Sequence, residues 1–114
     1  MKVEELVAAL RLKVLTGELA LQREVSGGYA ADLLSCAMAR ARSGNVWVTL
    51  QAHANVVAVA SLLDLAAVII TEGVVPDEAA RAKASEEGVV LLSSPQTTYA
   101  VVAEMARLGI PPAP

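Results

Sequence analysis

Phenylalanine is absent from the 114 residues, and Trp47, Tyr29 and Tyr99 are the only other aromatics. A core must then be built from Ala, Val, Leu and Ile, small and branched side chains that suit buried parallel strands with helices packed close upon them. Cysteine occurs once, at Cys36, which excludes an internal disulfide and fits a reducing compartment. With one histidine, His53, and no paired cysteines, a zinc site lacks ligands. No phosphate-cradling loop of the form G-x-x-x-x-G-K-S/T is present, no G-x-G-x-x-G follows a strand, and no G-x-S-x-G occurs, so kinase, dinucleotide and serine-hydrolase chemistry are disfavoured. No stretch reaches the ~18 uninterrupted apolar residues of a spanning helix. The longest, residues 54–70, is split by Ser61 and Asp64. Basic residues are few and scattered and the net charge is −3, which argues against nucleic acid as a partner. The start, Met1-Lys2-Val3-Glu4-Glu5, has neither the basic opening nor the apolar stretch of a signal peptide, so a cytoplasmic protein is expected.

What is present is a 55% apolar fraction, arranged in a repeated unit of amphipathic stretch, glycine and apolar run. Residues 32–43 stop at Gly44 before Val46-Trp47-Val48-Thr49-Leu50, and residues 77–87 stop at Gly88 before Val89-Val90-Leu91-Leu92. Glycine just past a helix end is the usual left-handed cap. Residues 95–108 stop at Gly109, but Ile110-Pro111-Pro112-Ala113-Pro114 follows, which cannot extend a ladder, so residues 1–110 form one domain and 111–114 a disordered tail. A first helix over 3–10, strands at 13–16, 25–29 and 67–71 and a helix over 55–63 complete the pattern. The expected fold class is α/β, a three-layer arrangement of a largely parallel sheet with helices on its faces. Asp32, Ser94 and the Asp77-Glu78 pair read as helix starts.

In such sheets ligands bind beyond the carboxyl ends of the strands, and three exits are polar. Gln51, His53 and Asn55 follow one strand, Thr71 and Glu72 the next, Ser93, Ser94 and Gln96 the third. Neutral hydrogen-bonding groups and helix starts suit a small polar or anionic ligand better than an acid–base mechanism. Gln51, His53, Asn55 and Thr71 are therefore the candidate rim for a nucleotide or phosphorylated metabolite. Each has a structural alternative: His53 as a loop residue satisfied locally, Asn55 as the cap of the helix after it. Cys36, inside an Ala-rich helix with no histidine nearby in sequence, reads as inert. No catalytic pair, cofactor or metal is expected.

The most distinctive stretch is Gln22-Arg23-Glu24-Val25-Ser26-Gly27-Gly28-Tyr29, followed by Asp32-Leu33-Leu34-Ser35. A Gly-Gly pair lets another backbone or an anion approach closely, or marks a bulge. With the opening helix, Leu12-Lys13-Val14-Leu15-Thr16-Gly17 and Gly44-Asn45-Val46-Trp47-Val48-Thr49, the chain resembles the DRTGG family, named for an Asp-Arg-Thr-Gly-Gly run, over nearly its whole length. Gln22 stands where the motif has Asp, Ser26 where it has Thr, and two extra residues separate Arg23 from Ser26. The resemblance implies a regulatory α/β domain, found beside CBS modules, an acetyltransferase or a phosphatase, that pairs with itself. A label of likeness to the amino-terminal part of HPr serine kinase does not imply kinase activity, because the phosphate-binding loop belongs to a separate catalytic domain. The expectation is a non-enzymatic homodimeric module whose contact includes Arg23, Ser26, Gly27, Gly28 and Tyr29, with ligand sensing at the rim as the alternative and the partner protein unspecified.

Overall fold

Val46, Trp47 and Val48 are apolar on consecutive positions, so a strand carrying them has no solvated face and must lie inside a sheet covered on both sides. The computed structural model describes all residues 1–114 and places them so. The elements in chain order are α1 (Val3–Leu10), β1 (Lys13–Thr16), a short 3-10 turn (Glu18–Ala20), β2 (Gly27–Ala30), α2 (Leu34–Arg40), β3 (Asn45–Thr49), α3 (Ala54–Leu62), β4 (Ala67–Ile70), α4 (Glu78–Glu87), β5 (Leu91–Ser93) and α5 (Thr98–Arg107). The sheet order is β1-β5-β4-β3-β2, with β2 to β5 parallel and β1 antiparallel to β5 across an irregular step at Leu15.

Each crossover from β2 to β5 advances one place in the same direction, so crossovers of one hand put α2, α3 and α4 on one face. Trp47, Val68, Ile70 and Leu91 point to that face and pack against buried Ala37, Val56 and Ala80. Val46, Val48, Ala67 and Ile69 point the other way, against Val3 and Leu6 of α1 and Val101 and Met105 of α5. Every residue of β3 and β4 is buried. Burying a Val, Leu or Ile side chain contributes about 1.5–3 kcal/mol, so these two strands and their covers dominate the stability. The Trp47 indole, fully buried, donates from Nε1 to the Ala31 carbonyl at 2.9 Å, which satisfies its one polar atom. No helix is long and apolar enough to cross a membrane.

Several boundaries differ from the sequence reading. Asp77 caps α4 as expected, its Oδ1 accepting from the Ala80 N–H at 2.8 Å, and Gly88 closes it in the left-handed region. Asp32 caps nothing: α2 starts two residues later, without a side-chain cap, because the Asp32 carboxylate accepts from the Thr49 hydroxyl at 2.9 Å and the Leu50 N–H at 3.0 Å. Helix α2 also ends short of Gly44, where the Asn45 Oδ1 takes the Arg42 N–H at 2.8 Å. Helix α5 is capped by Thr97, and Ser94, buried, accepts the Gln96 N–H at 3.1 Å in the turn before it. The expected disordered tail is instead laid against β2: the Gly28 N–H donates to the Pro111 carbonyl at 2.8 Å and the Ala113 N–H to the Gly28 carbonyl at 2.9 Å. A parallel bridge at Pro112 uses the carbonyl before it and the N–H after it, so the missing proline N–H is not needed at this sheet edge.

Candidate functional site

The sheet has two ends, and the residues singled out in the sequence divide between them. At the amino ends of the parallel strands, Arg23 grips Asp64 through Nη1 to Oδ1 at 2.7 Å and Nη2 to Oδ2 at 2.9 Å, and donates to the Asp64 carbonyl at 2.9 Å. Ser43 donates to the same carboxylate at 2.7 Å. These hydrogen bonds, Arg23 first and Ser43 second, hold the Asp64 carboxyl at about 2, below its ordinary 3.8, and the same contact raises the Arg23 guanidinium. Asp64 sits at φ 57°, a left-handed position that Asp tolerates better than most residues. Ser26 donates to the Ser43 carbonyl at 2.9 Å and accepts from the Asn45 amide at 3.1 Å. Arg23 and Ser26 thus stitch the entry of β2 to the loops that lead into β3 and β4.

Gly27 and Gly28 follow as the first two residues of β2. A Cβ on Gly27 would lie 3.1 Å from the Pro111 carbonyl oxygen, and one on Gly28 would lie 3.0 Å from the Met105 methyl. The pair permits close approach of the C-terminal segment and α5. Tyr29 is half-buried in the apolar layer under α2 and α3. The five residues expected at a subunit contact are brought together, and four of them are occupied by this chain's own groups. Gln22, in the place of the motif's Asp, bridges Lys2 and Glu4 of the N-terminal segment.

At the carboxyl ends, β4 turns back into α4 on one face while β5 leads to α5 on the other, so the crevice where connections diverge lies between their exits. Hydrogen bonds within the chain close it. The Thr71 and Thr98 hydroxyls meet at 2.6 Å, the Glu72 N–H donates to the Gln96 carbonyl at 2.8 Å, and the Glu72 carboxylate takes the Thr98 N–H at 2.8 Å. Thr71 is fully buried and offers no side chain to solvent. His53, not Asn55, caps α3: its Nδ1 accepts the Asn55 N–H at 3.1 Å, which places the neutral ring's proton on Nε2. Of the four rim candidates, Gln51, His53 and Asn55 are exposed.

The rim's chemistry is clearest in what surrounds them. Residues 31–33, 50–55, 71–78 and 94–99 contain Asp32, Glu72, Asp77 and Glu78 but no Lys or Arg. They also present one large apolar side chain at every parallel exit: Leu33 after β2 is 65% exposed, Leu50 after β3 38%, Val75 after β4 78% and Tyr99 after β5 84%. Sequence reasoning passed over these four while inspecting polar groups. An apolar residue in an otherwise polar strand exit was the signal available. One cavity lies under α5 beside the C-terminal segment, and another, lined mostly by polar residues, runs between β1 and α4 and reaches the rim at Pro76 and Glu78, where Arg81 also lines it.

Comparison with known proteins adds three findings. A model of the DRTGG domain matches residues 5–108. No curated protein matches the chain. Among solved structures, one of the CBS and DRTGG domains of the regulatory region of Clostridium perfringens pyrophosphatase, complexed with the activator diadenosine tetraphosphate, is similar with a TM-score of 0.75 at 12% identity. That similarity covers 96% of this chain and 47% of the other, so this chain spans about half the length of its neighbour, and at such identity the likeness is one of fold.

Proposed function

The chain belongs to the DRTGG domain family, a family of regulatory domains, and from that premise we propose that it is a non-enzymatic module that acts by protein contact, pairing with a second copy through the carboxyl-end rim. One observation carries the reading: each parallel strand exit presents an exposed apolar side chain, Leu33, Leu50, Val75 or Tyr99, while Asp32, Thr71 and Glu72 between them are paired within the chain. Exposed aromatic and aliphatic side chains of this kind supply the anchors of interfaces. A two-fold contact would set the four residues of one protomer against the same four of the other. The Gly27-Gly28 edge is less suited to this role, since its outward backbone groups at Gly28 already hold residues 111 and 113. In serial dilution followed by amide NMR, resonances of Leu33, Leu50, Val75 and Tyr99 should shift with concentration while those of Gly27 and Gly28 hold still. Shifts confined to the Gly27-Gly28 strand would move the contact there.

A second reading, a sensor of a nucleotide or phosphorylated metabolite at Gln51, His53, Asn55 and Thr71, is favoured by the activator bound to the pyrophosphatase regulatory region. The rim's own chemistry weighs against it. Phosphates are held by Arg, Lys or free helix N–H groups, whereas this rim has four carboxylates and no cation, and the starts of α3 and α5 are taken by His53 and by Thr97 with Glu72.

A further inference from the structure

Strand β2 ends the sheet, and the edge it would leave open is occupied by the chain's own C-terminal segment. That segment is held by few contacts. Ile110 packs, partly buried, against the layer that holds Val48 and Met105. The Gly28 N–H donates to the Pro111 carbonyl and the Ala113 N–H to the Gly28 carbonyl. Pro111, Pro112 and Pro114 are exposed, and residues 110–114 carry no polar side chain. What β2 recognises is therefore one apolar side chain and an extended backbone around a proline, a recognition that does not depend on the segment belonging to the same chain.

The connection that keeps it in the same chain is a single turn. After α5 the Gly109 N–H donates to the Ala106 carbonyl at 3.0 Å and the Ile110 N–H to the Met105 carbonyl at 3.1 Å, the paired bonds of a glycine-closed helix end. Gly109 sits at φ 88°, where a residue with a Cβ is strained, yet the space such a Cβ would enter is empty. The backbone preference of one residue thus sets the direction in which the segment leaves the helix. Prolines keep the segment extended when it is off the sheet, so seating it on another copy loses little conformational freedom. Short hinges of this kind favour exchange of an element between identical chains.

We propose that residues 110–114 are an exchangeable arm, and that the β2 edge of one copy accepts the arm of a second copy in the register it holds within its own chain, in a reciprocal pair. Residues 110–113 span at most about 14 Å when extended, so the two β2 edges face one another across the two-fold axis. This surface is separate from the strand-exit rim and does not rest on the pairing there. Because Gly28 meets the same groups from either chain, exchange leaves its resonances in place.

The test uses the full chain carrying Tyr99→Asp, which removes a rim anchor, with and without Gly109→Val. A branched side chain disfavours the left-handed turn without striking a neighbour, so the hinge straightens. Sedimentation equilibrium should give a dissociation constant for pairing at least tenfold lower with Gly109→Val. In an equal mixture of isotope-labelled and unlabelled chains, filtered NOEs should join the Ala113 N–H of one copy to Gly28 of the other. Adding Ala113→Pro, which removes the N–H donated to Gly28, should return the pair to monomers. A folded Gly109→Val that stays monomeric, or a dimer in which Gly28 meets Gly28 and not Ala113 of the other copy, would overturn the arm. Where Gly109→Val does not fold, its parent refolded from urea at millimolar concentration decides: the same NOE between chains supports exchange, and its absence overturns it.

Discussion

The His53 side chain starts α3, its Nδ1 accepting the Asn55 N–H at 3.1 Å. The sequence leaves the only histidine two roles, a ligand contact or a loop residue satisfied locally, and the hydrogen bond it makes is of the local kind. Loss of an N-terminal cap costs about 1 kcal/mol, which lowers the melting point of a domain this size by roughly 4 °C. His53→Ala should show that loss in a thermal melt and His53→Asp should recover it, whether or not any ligand is present; a melt unmoved by His53→Ala would remove the cap from the account. The glycines carry a second lesson. Gly27-Gly28 attracts the eye as a pair, but the atom nearest a Cβ on Gly28 is the movable end of Met105, whereas Gly17 sits at φ 85° with the Val90 backbone 2.8 Å from where a Cβ would go. Gly28→Ala should therefore stay within about 1 kcal/mol of wild type in urea unfolding, and Gly17→Ala should lose about 2 kcal/mol or more. The reverse ranking would contradict the packing described. Positive φ at Gly17 has no signature in a single sequence.

At the scale of elements, β3, β4 and α4 were legible because local signals agree with the fold: continuous apolar runs for strands buried on both faces, Asp77 and Gly88 at the ends of a helix. Residues near α2, β2 and the C-terminal segment were misplaced because a distant partner decides them. Asp32 is drawn to Thr49, Asn45 interrupts the approach to Gly44, and Gly28 supplies both hydrogen bonds that order residues 111–113. Arg23 is the element-scale counterpart, a single guanidinium joining the entry of β2 to the loops before β3 and β4. Its partner Asp64 has a folded-state carboxyl near 2 against an ordinary 3.8. A depressed carboxyl contributes stability above its unfolded value and loses it as the pH falls through the folded one, so the contribution should fade between about pH 4 and pH 2. Both groups are substantially exposed, and the solvent screening of such a pair keeps its worth small. In urea unfolding, Arg23→Ala should be less stable than wild type at pH 6, with the gap closing by pH 2. A gap independent of pH would mean that Arg23 acts through its stem and neutral hydrogen bonds alone.

Over the whole molecule, the family signature and the surface point in different directions. The Arg23, Ser26, Gly27 and Gly28 constellation is paired within the chain at the amino end of the sheet, and the contact proposed above lies at the opposite end. Residues that stabilise a fold and residues that meet a partner are under different physical demands: the first must be paired internally, the second must leave apolar surface uncovered. Leu33, Leu50, Val75 and Tyr99 meet the second demand, and their neighbours Asp32, Glu72 and Asp77 keep their carboxylates on hydrogen bonds within the chain. The α/β class and layer count followed from composition and spacing. The exposed apolar residues at the strand exits did not, because exposure there depends on how far each loop carries its apolar residue from the sheet. Sedimentation equilibrium of the wild-type protein and of Tyr99→Asp tests the account most directly, since Tyr99 is 84% exposed and its replacement should not disturb the fold. The expected result is a wild-type dimer and a folded, monomeric Tyr99→Asp. A wild-type monomer throughout the concentration range, or a dimer that Tyr99→Asp leaves intact, would contradict it.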